Sequence, residues 1–216
     1  MGFIFLTDFE IERCLILKIY LKKQTDLNDR FFKFTIMKHI IIFGFKNVGK
    51  STIGKELSIQ INRPFIDLDE EVEKEYKAKF GLNSSCREIM QKYGKKFYYK
   101  LEKKTLNKII KFKMPSIIAL GGGTPLKEQC QNVLKKYIKN CIFIYITASK
   151  NVILKRIVAN GKPAFFSDKE KISVCFQRLW KKREKQYREL AQYTVYNTKS
   201  IDNTINKLKE KIINLI

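Results

Sequence analysis

The run Gly44-Phe-Lys-Asn-Val-Gly49-Lys50-Ser51 follows the spacing G-x-x-x-x-G-K-[ST], in which each fixed residue type answers a need of a phosphate chain. Glycines let the backbone curl so that successive N–H groups point at one anion. The lysine reaches phosphate oxygens, and the hydroxyl after it ligates Mg²⁺. The pattern predicts an ATP-binding P-loop formed by Gly44, Asn47, Val48, Gly49, Lys50, Ser51 and Thr52, with Ser51 on the metal. Two carboxylates follow at Asp67-Leu-Asp69. Read as a strand end, alternation puts both on one side. One carboxylate can then hold a Mg²⁺ water, and the other can accept a proton or hydrogen bond from an attacking hydroxyl. The competing reading is an acidic pair at a helix start. Gly121-Gly122-Gly123 is the third candidate: glycines at a strand end admit close approach of a ligand to the backbone, or else mark a flexible loop.

These residues need a scaffold that brings distant segments to one edge. Strand-like runs at 39–44, 64–69, 116–121, 141–147 and 194–197 alternate with helical stretches at 70–79, 85–112, 150–160, 170–191 and 201–216. Such an order predicts an α/β fold, a three-layer architecture with a five-stranded parallel sheet flanked by helices. The run at 39–44 is continuously apolar, as a strand buried on both faces requires. Ser85 with Glu88 makes a capping box, and Gly94 predicts a break in the long helix that follows. All three motifs fall at carboxyl ends of successive strands, where open α/β sheets bind ligands. Residues 1–36 lack a clear period, and Met37 stands directly before the first strand. They are expected to be an added N-terminal extension or to precede the true start.

Composition narrows the chemistry further. One histidine, His39, leaves little material for His-based metal sites or Ser-His catalysis, and five scattered cysteines without a C-x-x-C pair argue for reduced thiols in a cytoplasmic protein. No stretch approaches the ~20 apolar residues of a membrane span. The net charge of +23 is spread as lysine over amphipathic segments, which reads as solvated helix faces in preference to a nucleic-acid surface. Trp180, in the basic run 178–183, is expected in the core or at a hinge.

Together the motifs resemble the shikimate kinase family of nucleoside-monophosphate-kinase-like P-loop proteins, from about Met37 to the C-terminus. The likeness rests on 44–52, on Phe65-Ile-Asp67-Leu-Asp69, on 94–102 against G-E-x-x-F-R-x-x-E, on Ile118-Ala-Leu-Gly-Gly-Gly123, and on 183–191 against R-x-x-L-Y-x-x-x-A. The resemblance implies ATP-dependent phosphorylation of shikimate by a monomer in the aromatic amino-acid (chorismate) pathway. It implies Lys50 and Asp69 as catalytic residues, and Asp67 near Mg²⁺. Gly121, Gly122, Gly123 and Arg183 would bind substrate, Arg156 would lie against adenine, and Lys162 would act in a lid at 160–169. A substrate-binding segment spans about 70–103.

Three departures accompany it. Tyr99 stands where the pattern has an arginine for the substrate carboxylate, Lys162-Pro-Ala-Phe replaces R-P-L-L, and extra sequence lies at 77–83. Bidentate arginine geometry is hard to imitate. Tyr99 is therefore expected to be a weaker contact, with Lys96, Lys100 or Lys103 supplying charge from the same helix. A different acceptor, such as a sugar acid, or a degenerate basic P-loop protein that binds nucleotide or nucleic acid, are the alternatives.

Overall fold

The computed structural model describes residues 38–159, 170–198 and 200–213. The N-terminal extension and the lid with Lys162 lie outside the described residues, as does Cys14.

Five strands, β1 (His39–Phe43), β2 (Phe65–Asp67), β3 (Ile117–Ala119), β4 (Cys141–Thr147) and β5 (Tyr193–Tyr196), form one sheet in the order β2-β3-β1-β4-β5. Every pairing is parallel; Ile41, for example, sits between Ile118 and Phe143. β1 and β4 are buried along their whole length, which accounts for their unbroken apolar sequences. Each such side chain taken from water contributes about 1.5–3 kcal/mol. Because β1 is central, the segment leaving its carboxyl end emerges in the middle of the sheet edge. The chain runs first to β2, returns through β3, and then crosses to β4 and β5 on the far side of β1.

Helix α1 (Lys50–Gln60) packs on β1, β2 and β3 and touches α7 (Ile201–Ile213), which covers β5. Helix α2 (Leu68–Phe80) ends at Gly81 in the left-handed conformation (φ 71°) and packs on α3 (Cys86–Ile110). The Ser85–Glu88 capping box is formed, and α3 is kinked at Gly94 (φ 78°, ψ 169°), as the sequence predicts. Helices α4 (Glu128–Lys136), α5 (Lys150–Ala159) and α6 (Ile172–Leu190) complete the set. α4 carries no sequence signal at its start. Its N-cap position is Lys127, with no side-chain cap, and lysine is a poor N-cap; the side chain is used elsewhere.

One expectation about the carboxylates is corrected. β2 ends at Asp67 and α2 begins at Leu68, so strand alternation does not orient the pair. Asp67 is the N-cap of α2, its Oδ1 accepting from the Asp69 N–H at 3.0 Å, and Asp69 sits in the first helical turn. Helix-start geometry and a shared crevice hold at once.

Candidate active site

The P-loop curls as its glycines require. Gly49 has φ 97°, and a Cβ there would meet Asn197 Nδ2 at 2.7 Å. Asn47 is also left-handed (φ 62°). The loop is pinned from behind through one carbonyl. Asn197 Nδ2 donates to Val48 O at 2.9 Å, and Arg156 Nη1 reaches the same oxygen at 3.4 Å. Gly49 starts α1 with no side-chain cap, and the first turn holds no acidic residue. Its leading N–H groups and the positive end of the helix dipole are thereby left for an anion.

Lys50 is half-buried among the strand ends, its Nζ donating to Phe45 O at 2.9 Å and Gly44 O at 3.3 Å. Burial lowers its pKa to about 8, helped by Lys46 and Arg183 and opposed by Asp69 and Asp67. Ser51 Oγ donates to Asp67 Oδ2 at 2.7 Å. A hydroxyl beside a carboxylate is a set of hard oxygen donors, few in number, that suits Mg²⁺ retaining most of its waters. Asp69 has the opposite perturbation to Lys50. Burial, then the charges of Asp67 and Glu102, raise its pKa to about 6 against the pull of Lys50 and Lys127.

Two glycines of the triplet sit too close to their neighbours for a side chain. A Cβ on Gly121 would lie 2.8 Å from Asp69 Oδ1, and one on Gly122 would lie 3.2 Å from Gly44 O. Glycines here let the carboxylate and the P-loop press against the end of β3. The Tyr187 hydroxyl donates to the Gly122 carbonyl, fixing the triplet from α6. Tyr187 belongs to an aromatic stack with Phe43, Phe45 and Tyr145, and Phe45 in turn stacks on Trp180. Trp180 is thus a packing residue, as expected.

One cleft of about 550 Å³ gathers the P-loop, Asp67, Asp69, Tyr99, the glycine triplet and Arg183. Arg156 lies apart, in a recess of about 220 Å³ lined also by Asn47, Thr52 and Asn197 behind the loop.

Glu102, a buried carboxylate on α3, escapes sequence reasoning as a site residue. Its Oε1 accepts from Thr124 Oγ1 at 2.7 Å, and its Oε2 pairs with the Lys127 ammonium. Lys127 Nζ also lies 4.4 Å from the Tyr99 ring centre and 4.9 Å from that of Tyr98. The lysines expected to assist Tyr99 are elsewhere: Lys100 and Lys103 line a separate recess against α4, and Lys96 is exposed and outside the cleft. The signal that could have found Lys127 is its poor fit to an N-cap.

The chain is similar to proteins of one family. The family model for shikimate kinase matches residues 46–213. A shikimate kinase of Thermoanaerobacter pseudethanolicus is 32% identical over 178 residues, 82% of this chain and 95% of that protein. One from Caldanaerobacter subterraneus subsp. tengcongensis is 34% identical over 179 residues, again 82% and 95%. The solved shikimate kinase of Acinetobacter baumannii in complex with shikimate superimposes with a TM-score of 0.71 at 23% identity, covering 85% of this chain and 97% of that one; the shared feature there is the fold.

Proposed function

The chain belongs to the shikimate kinase family, and we propose that it catalyses ATP-dependent phosphorylation of a shikimate hydroxyl in this cleft. The observation that carries the reading is the juxtaposition of Asp69 with Lys50 and the glycine triplet in one recess. A base, a phosphate-binding cation and a close-packed backbone wall are what in-line transfer to a small polyol needs.

In this reading Gly44, Asn47, Val48, Gly49 and Thr52 cradle the phosphates through backbone and side chain. Lys50 leaves the Gly44 and Phe45 carbonyls for β- and γ-oxygens. Ser51 and Asp67 hold Mg²⁺, which when bound neutralises charge on the phosphates. The substrate hydroxyl oxygen forms the new bond to the γ-phosphorus as the bond to the ADP oxygen breaks, and Asp69 takes the hydroxyl proton. With its pKa at about 6, Asp69 is mostly ionised at neutral pH yet more basic than a free aspartate. Arg183 draws the substrate carboxylate toward α6, Arg156 lies by the adenine, and Lys162 supplies positive charge to the phosphates.

No helix among the described residues is long and apolar enough to cross a membrane. The proposal takes the chain as a cytoplasmic monomer acting on small molecules, its basic surface playing no part in turnover.

The test is ADP release by the purified full chain with Mg-ATP, with and without shikimate. Shikimate-dependent release is expected. Intact ATP binding without stimulation by shikimate, or turnover with a sugar acid such as gluconate in its place, would overturn the assignment.

A further inference from the structure

Lys95 and Lys127 both line the acceptor half of the cleft. Lys95 is exposed on α3. Lys127 differs. Its side chain is 16% exposed, its ammonium is held by a carboxylate that is itself 1% exposed, and the rings of Tyr98 and Tyr99 lie beside it. A cation so confined has lost most of its rotamer freedom before any ligand arrives. It opens on the same recess as Asp69 and Arg183. An ammonium has three donors, and among the described residues Glu102 is the one hydrogen-bond acceptor that Lys127 is seen to reach.

We propose that Lys127 is a specificity-determining residue that binds the carboxylate of the acceptor substrate, a task for which Tyr99 has no charge, and that Glu102, Tyr98 and Tyr99 are positioning residues that aim it. The proposal rests on the kinase reading above. The chemistry follows from the pair's unequal burial. Glu102 satisfies its other oxygen through Thr124, so the pair is anchored at the carboxylate end and presents its ammonium to the cleft. A second carboxylate, on the ligand, adds a charge-assisted hydrogen bond without moving the first. Tyr99 adds its ring face, favourable to the cation, in place of a donor fork.

The experiment compares two variants of the full chain that leave no carboxylate buried without its partner: Glu102→Gln, which keeps the cation, and Glu102→Gln with Lys127→Met, which removes it. Each is assayed for turnover of shikimate and of its uncharged carboxamide, with KM for ATP as the internal control. Relative to Glu102→Gln, the double variant should show KM for shikimate raised about tenfold or more, the loss of one charge-assisted hydrogen bond. KM for the carboxamide and for ATP should stay unchanged. Equal KM for shikimate in the two variants, or a loss shared by the carboxamide, would overturn the role of Lys127 while wild-type turnover of shikimate left the kinase reading intact. Absence of shikimate turnover in the wild type would remove both. Should the double variant not fold, Glu102→Gln alone decides: with its aim loosened, Lys127 should hold shikimate more weakly, raising KM for shikimate but not for the carboxamide or ATP, and an unchanged KM or a rise shared by the carboxamide would count against it.

Discussion

The two sides of the cleft are built by different means. On the phosphate side the shape is made by backbone: curled glycines, a helix start, and a Val48 carbonyl held by Asn197 and Arg156. On the acceptor side it is made by side chains: the Glu102–Lys127 pair, the Thr124 hydroxyl, and the rings of Tyr98 and Tyr99. A backbone cradle has few alternative solutions, so its residue types are fixed by spacing. A charged wall has many, because an ammonium or guanidinium can reach one point in space from several elements. In the proposed reading the chain keeps the cradle and reroutes the wall.

Asp69 touches both sides, and replacing it gives the sharpest separation. Asp69→Asn should lower kcat by roughly 10²–10⁴, the usual contribution of a positioned base, while ATP affinity measured by calorimetry stays intact; loss of ATP binding would mean the two sides are not independent. The pH profile should divide in the same way. The acceptor side needs Asp69 ionised, so kcat/KM for shikimate should fall about tenfold per unit below its pKa of about 6. The phosphate side needs Lys50 protonated, so kcat/KM for ATP should decline above its pKa of about 8. A flat acid limb in Asp69→Asn would assign that inflection.

Stability offers smaller effects with opposite signs. Lys127→Met with Glu102 left in place should cost about 3–5 kcal/mol in urea denaturation, since a buried carboxylate loses its partner, and adding Glu102→Gln should recover most of it. For Asp69 the sign reverses. Its folded pKa of about 6 lies above the ordinary 3.8, so the folded state favours the protonated form and ionisation opposes folding at neutral pH. Asp69→Asn should therefore stabilise the protein by on the order of 2 kcal/mol near pH 7, with the gain fading as pH falls through about 6 toward 4. The least effect is expected of Tyr187→Phe: one hydrogen bond to Gly122 removed, about 1 kcal/mol, with a modest rise in KM for shikimate.

Which parts could be read from the sequence follows from the same division. The P-loop, the Ser85 cap, the Gly94 break and the buried β1 and β4 are local, and each has a residue type dictated by backbone geometry. The pair Asp67 and Asp69 was half legible: their meeting place was right, but the helix beginning at Leu68 replaces strand alternation as the reason. The Lys127–Glu102 pair spans 25 residues, and the Asn197 and Arg156 contacts to Val48 span 149 and 108. No local pattern encodes such contacts, and one lysine among 44 basic residues attracts no notice. The glycine triplet stands out in the sequence, but the space that Asp69 and Gly44 demand at Gly121 and Gly122 is set by distant segments and is not legible there.

Trp180 is the one tryptophan of the chain, and its indole lies 4.7 Å from the Phe45 ring, 3° from parallel, with Lys150 Nζ 5.6 Å from its centre. Phe45 is a P-loop residue whose carbonyl holds Lys50. Any rearrangement of the loop on taking up a nucleotide is therefore transmitted to a single fluorophore with a stacked neighbour and a nearby charge. The protein carries its own optical probe: intrinsic emission, free of competing indoles, should follow ATP titrations and stopped-flow mixing without a label.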